Sequence, residues 1–132
     1  MAHFLSPALT GDPAALVVCN ERTGGIVASD LLCAFDSSSR RQGLLGRDAM
    51  ADNQAIVLAP CAAVHTFFMR FPIDVVFTGR DGTVRKVRAR VPPWRIAASF
   101  GAFAALELPA GRAAAAGLQV GDRLALVPAA SR

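Results

Sequence analysis

The 132-residue sequence is poor in the residues that most often carry chemistry or cross-links. It has two histidines, His3 and His65, and three cysteines, Cys19, Cys33 and Cys61. An odd cysteine count without repeated spacing makes no disulfide framework, and no zinc-site spacing is visible. Lys86 is the single lysine, against 13 arginines. Alanine is inflated as well, so this bias reads as that of a genome rich in G and C rather than a demand for bidentate guanidinium contacts. No apolar run reaches the roughly 18 residues of a membrane span. The longest candidate, Ala55 to Met69, is interrupted by Pro60, His65 and Thr66. No repeat period, phosphate loop, dinucleotide fingerprint or serine elbow occurs, and no RNA-binding signature is present. The first residues lack a basic region followed by an apolar one, so the expected setting is cytoplasmic and reducing. No cofactor and no metal are expected.

What is present suits one folded domain. Apolar residues make up 53% and charged residues 18%, which argues against disorder. The expected organisation is a loose tail over 1–12, a single domain over 13–128 and a C-terminal tail over 129–132. The net charge of +4 is unevenly spread. Seven cations (Arg70, Arg80, Arg85, Lys86, Arg88, Arg90, Arg95) face only Asp74 and Asp81 in the stretch 70–95. Such a stretch serves as the solvated face of a hairpin, or it meets an acidic protein, a peptide or a small anion.

Period-two patterns with turn signals predict a mainly β (α+β) chain, a compact β-barrel or sandwich of about seven strands with two short helices. Strands are expected at Ala14–Cys19, Ile26–Phe35, Gln54–Ala59, Val64–Phe71, Ile73–Thr78, Thr83–Val91, Ala102–Leu108 and Arg123–Val127. Glu21 to Gly25 makes the first turn, which sets Cys19 near Ile26. Val64–Phe71 has apolar groups on both faces and reads as a strand in a central or barrel position rather than at an edge. Helices are expected at Ser38–Leu45, with Asp36 and Ser37 to Ser39 supplying the N-cap and Gly46 the stop, and at Ala110–Ala116, with Gly117 closing it. Arg95 to Ser99 reads as irregular. A three-residue loop at Gly79–Thr83 sets Ile73 against Ala89, Val75 against Val87 and Phe77 against Arg85, whereas a two-residue loop, setting Val75 against Arg88 and Phe77 against Lys86, would mix core and solvent on each face and is rejected. The three-residue register places Asp74 opposite Arg88 as a cross-strand ion pair.

Five ordered motifs carry a resemblance. Arg40-x-x-Gly43-Leu44-Leu45-x-Arg47, then His65 through Asp74, then Val91-Pro92-Pro93-Trp94-Arg95, then Leu106 through Gly111, and finally Gly121-Asp122 follow one another. Together they resemble domain-of-unknown-function family 192, also known as uncharacterised protein family 0127, over roughly Leu31 to Val127. The resemblance implies a small, strand-rich, barrel-like domain and implies no reaction. Many members are exported, whereas this sequence shows no signal segment.

Candidate site residues follow from charge and spacing. Asp74 is a carboxylate among cations, suited to accept a proton or a ligand amine, or else to hold the hairpin. Arg40 and Arg47 lie seven apart and, on one continuous helix, offer two forks to an anion. The structural alternative pairs Arg40 with Asp36 and sets Arg47 over the helix end. Cys61 and His65 form a nucleophile and base only if the chain bends after Pro60, since four residues of straight strand span about 13 Å. Glu107, alternating with Leu106 and Leu108, is expected to point outward or to pair with an arginine. Trp94 is expected to plug a barrel end.

The leading functional expectation is therefore a non-enzymatic binding or accessory domain using Arg40, Arg47, Asp74, Arg88 and Glu107. A small hydrolase or transferase using Asp74, His65 and Cys61 is the alternative. Nucleic-acid binding through the basic stretch 70–95 ranks third.

Overall fold

A computed structural model describes residues 3–129. Ten strands lie in three open sheets, with three short α-helices, so the expected barrel does not close. The strands are β1 (Leu16–Asn20), β2 (Ile26–Ala28), β3 (Asp30–Ala34), β4 (Gln54–Leu58), β5 (Ala63–His65), β6 (Ile73–Thr78), β7 (Val84–Val91), β8 (Ile96–Ala98), β9 (Ala104–Pro109) and β10 (Leu124–Pro128). The helices are α1 (Ser6–Thr10), α2 (Ser37–Gln42) and α3 (Arg112–Ala115). The central sheet has the order β3-β4-β9-β6-β7, and β3 and β4 run parallel. A second sheet, β10-β1-β2, and a two-stranded sheet, β5-β8, complete the fold.

Alternation along the central strands divides the side chains between two cores. Val57, Val76, Leu106 and Leu108 pack with Val18, Val27, Leu124 and Ala113 in the first. Ile56, Leu58, Val75, Phe77 and Ala105 pack with Leu44, Val64 and Met69 in the second. The central sheet is thus apolar on both faces, as strands covered from both sides must be.

The excess of strands over the expected seven has local causes. The segment Ile26–Phe35 is not one return strand. The N–H groups of Ser29 and Asp30 both donate to the Asn53 carbonyl, and the chain there leaves β1 for β4. Cys19 does face Ile26. Val64–Phe71 is not a central strand either. Only Ala63–His65 pairs, with β8, within the stretch expected to be irregular. Thr66 then turns the chain away. Helix α2 stops at Gly43 (φ 42°), three residues before the expected Gly46. At α3, Gly117 (φ 66°) and the bond from Leu118 N–H to the Ala113 carbonyl close the helix as the sequence predicts. The expected N-terminal tail carries α1 and buries Leu5, while residues 1–2 and 130–132 lie outside the described residues.

The β6–β7 hairpin has the expected turn and a different register. Gly79 N–H donates to the Thr83 carbonyl, and Thr78 faces Val84. Gly82 (φ 86°) is obligatory there, since a Cβ would lie 2.2 Å from the Leu124 carbonyl oxygen. Beyond the turn, an irregularity between Phe77 and Thr78 shifts the pairing to Phe77–Lys86, Val76–Val87 and Val75–Arg88. A second irregularity sets Ile73 opposite Val91. These bulges were not legible from pairing arithmetic, which assumes uninterrupted strands. The expected Asp74–Arg88 ion pair is accordingly absent, and Arg88 is exposed.

Asp74 instead binds main chain. Fully buried, it accepts from Arg90 N–H at 2.8 Å and Gly111 N–H at 3.1 Å on one oxygen, and from Ala113 N–H at 2.9 Å on the other. The second bulge, where Arg90 takes φ 52°, is where its N–H meets the carboxylate. One side chain thereby fastens β6, the end of β7 and the start of α3. A second acid, Asp122, accepts from Asn20, Arg22 and Gln119 and ties the β10 turn to the end of β1.

Asp74→Asn places an amide donor against N–H donors. It should cost about 3 kcal/mol and lower the melting temperature by roughly 10 °C, read by thermal unfolding. Asp122 is held down at about 2, first by the Arg22 hydrogen bond. Its contribution is present above its ordinary value of 3.8 and is lost as pH falls toward 2. Acid unfolding of Asp122→Asn should therefore show a shallower loss of stability between pH 4 and pH 2 (roughly that window) than the unmodified chain.

Candidate functional site

The second face of the central sheet is not completely filled. A cavity of about 430 Å³ opens between α2 with its following loop, the β5 segment and β9. This volume lies in the range of small-molecule sites. Leu44, Leu58, Val64 and Met69 form apolar walls, and Ser37, Arg40, Cys61, His65 and Glu107 supply the polar groups.

Glu107 forms the floor. On β9 it is paired with Ile56 on one side and Val75 on the other, so its side chain shares their face. It is 4% exposed, and no described residue hydrogen-bonds or ion-pairs with its carboxyl group. Burial alone pushes it up to about 7. The expectation of an outward or arginine-paired Glu107 is corrected. The alternation that suggested it was read against one core, whereas β9 is covered on both faces.

Arg40 lines one wall, fixed by α2. Asp36 caps that helix by accepting from Ser39 N–H at 2.7 Å, and this capping holds its carboxyl below the usual range. Arg40 is not paired with Asp36 through its side chain. Its guanidinium donates to the Phe35 carbonyl at 2.8 Å and the Ala59 carbonyl at 3.2 Å, fastening α2 across the ends of β3 and β4. A longer contact, 3.4 Å, reaches the Ser37 hydroxyl. Arg47 lies beyond the end of α2 and outside the cavity, so the two arginines do not share a helical face.

Cys61 and His65 are brought to the same cavity by the bend that a nucleophile–base pair would require. They do not act on each other. The Cys61 thiol donates to the Ala63 carbonyl at 3.2 Å, and burial raises it further above the ordinary thiol range. His65 Nδ1 accepts from Phe67 N–H at 3.3 Å. Asp74 sits on the opposite face of the sheet. It neighbours Leu108 in register, one residue out of phase with the Val75–Glu107 pair.

Beside the cavity mouth runs a row of rings. His65 stacks on Phe67 at 4.9 Å, Phe67 on Trp94 at 5.9 Å, and Phe68 tilts against Trp94 at 4.6 Å. Trp94 is 55% exposed and Phe68 71%, so Trp94 plugs nothing. Both residues hold left-handed backbone, φ 68° and 65°. Such strain persists only where its surroundings over-determine it. Buried Thr66 does so here. Its hydroxyl donates to the Pro92 carbonyl at 2.6 Å and accepts from Arg95 N–H at 2.9 Å, while its carbonyl accepts from Trp94 and Met69 N–H.

Fold and site together define a small, mainly β domain with an open cavity of ligand size beside an exposed aromatic shelf. Within that class, the chain belongs to the uncharacterised family DUF192 ("Uncharacterized ACR, COG1430"), whose model matches residues 18–126. A crystal structure of a protein of unknown function from Novosphingobium aromaticivorans DSM 12444 shares the fold. It has a TM-score of 0.72 and 24% identity over 83% of this chain and 81% of its own. The crystal structure of a "putative transcription regulator" from Sinorhizobium meliloti 1021 is similar as well. It has a TM-score of 0.73 and 26% identity over 84% of this chain and 91% of its own. No curated protein matches the chain. Among the described residues, no helix is long and apolar enough to cross a membrane, and no cluster of His, Cys, Asp and Glu suits a metal ion.

Glu107 keeps its proton to about pH 7 in the folded chain but releases it near 4.5 when unfolded. The folded state therefore binds more protons in that window, and stability falls as pH rises through it, by about 3 kcal/mol at the limit. Urea midpoints at roughly pH 5 and pH 8 should show this decline in the unmodified chain and its disappearance in Glu107→Gln.

Proposed function

We propose that the chain is a non-enzymatic binding domain whose cavity takes a small molecule or the projecting side chain of a peptide. The observation that supports this most directly is the carboxyl group of Glu107 on the cavity floor, set into the sheet and without a hydrogen-bond partner among the described residues. A carboxyl group in a mostly apolar cavity is poorly solvated, and a ligand bearing a hydrogen-bond donor supplies a partner there. Of the residues proposed from sequence, Arg40 and Glu107 remain in this reading. Arg47 and Arg88 lie away from the cavity, and the bonds of Asp74 are structural. A small anion is disfavoured as the occupant, because it would meet the Glu107 carboxyl.

The hydrolase or transferase reading needs Asp74, His65 and Cys61 in one cleft. Asp74 lies across the sheet from the other two, and the Cys61 thiol is held protonated rather than activated. The nucleic-acid reading draws on the likeness to the Sinorhizobium protein, described as a "putative transcription regulator", and on the aromatic shelf. Against it, Arg70 is paired with Asp48, and Arg85 and Lys86 donate to the carbonyls of Phe100 and Ala98.

A fragment set screened by protein-observed NMR tests the binding reading. Binders should shift the signals of Met69, Val64 and Glu107. Alkylation of Cys61, with Cys19 and Cys33 followed by peptide mass mapping, should weaken them by at least about tenfold. Fragments that bind the alkylated chain equally well, or no binder at millimolar concentrations (roughly), would remove this reading.

A further inference from the structure

We infer that the cavity selects a primary ammonium group carried on an aliphatic stem, and that the Glu107 carboxylate receives it. This deepens the binding reading and rests on it.

The first argument is charge. Glu107 is the only carboxylate among the described residues lining the cavity. The other titratable or charged groups facing that space are Arg40 from α2, Cys61 from the loop before β5, and His65 from β5. Arg40 commits its guanidinium to the Phe35 and Ala59 carbonyls and the Ser37 hydroxyl. The Cys61 thiol is committed to the Ala63 carbonyl, and His65 stands at the exposed rim with Nδ1 turned to its own loop. None of them compensates the carboxylate, whose displacement to about 7 comes from burial.

The second argument is what each class of occupant would do to that carboxylate. An anion adds repulsion. A neutral apolar molecule leaves the carboxylate dry and without a partner. An ammonium brings three donors and an opposite charge, which offset the burial that otherwise opposes ionisation of the acid.

The third argument is the wall. Leu44, Leu58, Val64 and Met69 line the same space, so the charged head needs methylenes behind it. Two sources present this chemistry: a free alkylamine, or a lysine side chain reaching in from a peptide that crosses the aromatic shelf. The shelf begins at His65, which belongs to both the rim and the row of rings.

The test is an NMR titration of the full chain with n-pentylamine, pentan-1-ol, pentanoate and Nα-acetyl-lysine methylamide, at about pH 6 and pH 8. One of the two amines should bind at least about tenfold more tightly than pentan-1-ol, and pentanoate should bind least. Both amines remain charged throughout, so affinity should rise about tenfold from pH 6 to pH 8 as Glu107 ionises. Glu107→Gln should abolish both the preference and the pH dependence, with folding confirmed by its melting curve. The pH arm uses the unmodified chain and stands even if that variant fails to fold. Tighter binding of pentylamine supports a free amine as the source, and tighter binding of the lysine derivative supports a peptide. Equal binding of pentan-1-ol, with shifts confined to the cavity, leaves the binding reading intact and overturns ammonium selection. Affinity that falls with rising pH overturns it too, because protonated Glu107 would then be donating to a carbonyl. No shift from any probe overturns both readings.

Discussion

Three main-chain N–H groups converge on the Asp74 carboxylate, and the rest of the structure depends on that convergence. A buried carboxylate is tolerable only when its oxygens are satisfied, and here N–H groups at two distant bends satisfy them. One bend is the bulge at Arg90, and the other is the turn at Gly111, which has φ 90°. Gly111 suits that turn, because its φ lies where L side chains are strained. The carboxylate thus decides where β7 leaves the central sheet and where α3 begins. Of the two roles the sequence offers Asp74, a reactive group or a hold on the hairpin, its hydrogen bonds serve the second, through main chain rather than Arg88.

The central sheet keeps its two acids apart. Asp74 and Glu107 lie on adjacent strands, β6 and β9, and differ by one step of alternation. That step sends Asp74 to the α3 side, where three N–H groups bind it, and Glu107 to the cavity side, where the donors of Arg40 and Cys61 are turned to main-chain carbonyls. The same residue chemistry therefore yields a structural lock on one face and, among the described residues, a carboxyl group without a hydrogen-bond partner on the other. Environment, not residue type, assigns the roles.

Much of the local grammar was legible in the sequence. The Asp36 cap, the Gly117 helix stop, the hairpin turn at Gly79–Thr83 and the Cys19–Ile26 juxtaposition all follow from rules that act over a few residues. Features requiring knowledge of a third element were not legible. The bulges of β7 answer to Asp74 and to β10, which pairs at Leu124 with the chain at Gly82. The break at Ser29 answers to Asn53. Glu107 stands out in the sequence, yet its direction does not, because alternation reveals the period and not which faces are covered. The aromatic shelf hides behind Thr66, whose hydroxyl reads in sequence as an ordinary strand residue.

The cavity has a floor and walls of unlike mechanical character. Glu107 lies mid-strand with a hydrogen-bonded neighbour on either side, so its position is that of the sheet itself. Apart from Leu58 on β4 and Arg40 on α2, the walls come from short segments, the loop after α2, a three-residue strand paired with another of three, and the chain beyond it. Charge preference is therefore tied to the part of the molecule least able to change without unfolding. Shape preference is left to short segments that tolerate insertion and replacement. Relatives that keep the strand carboxylate while remodelling the two loops would retain one kind of chemical head group and diversify what is attached to it.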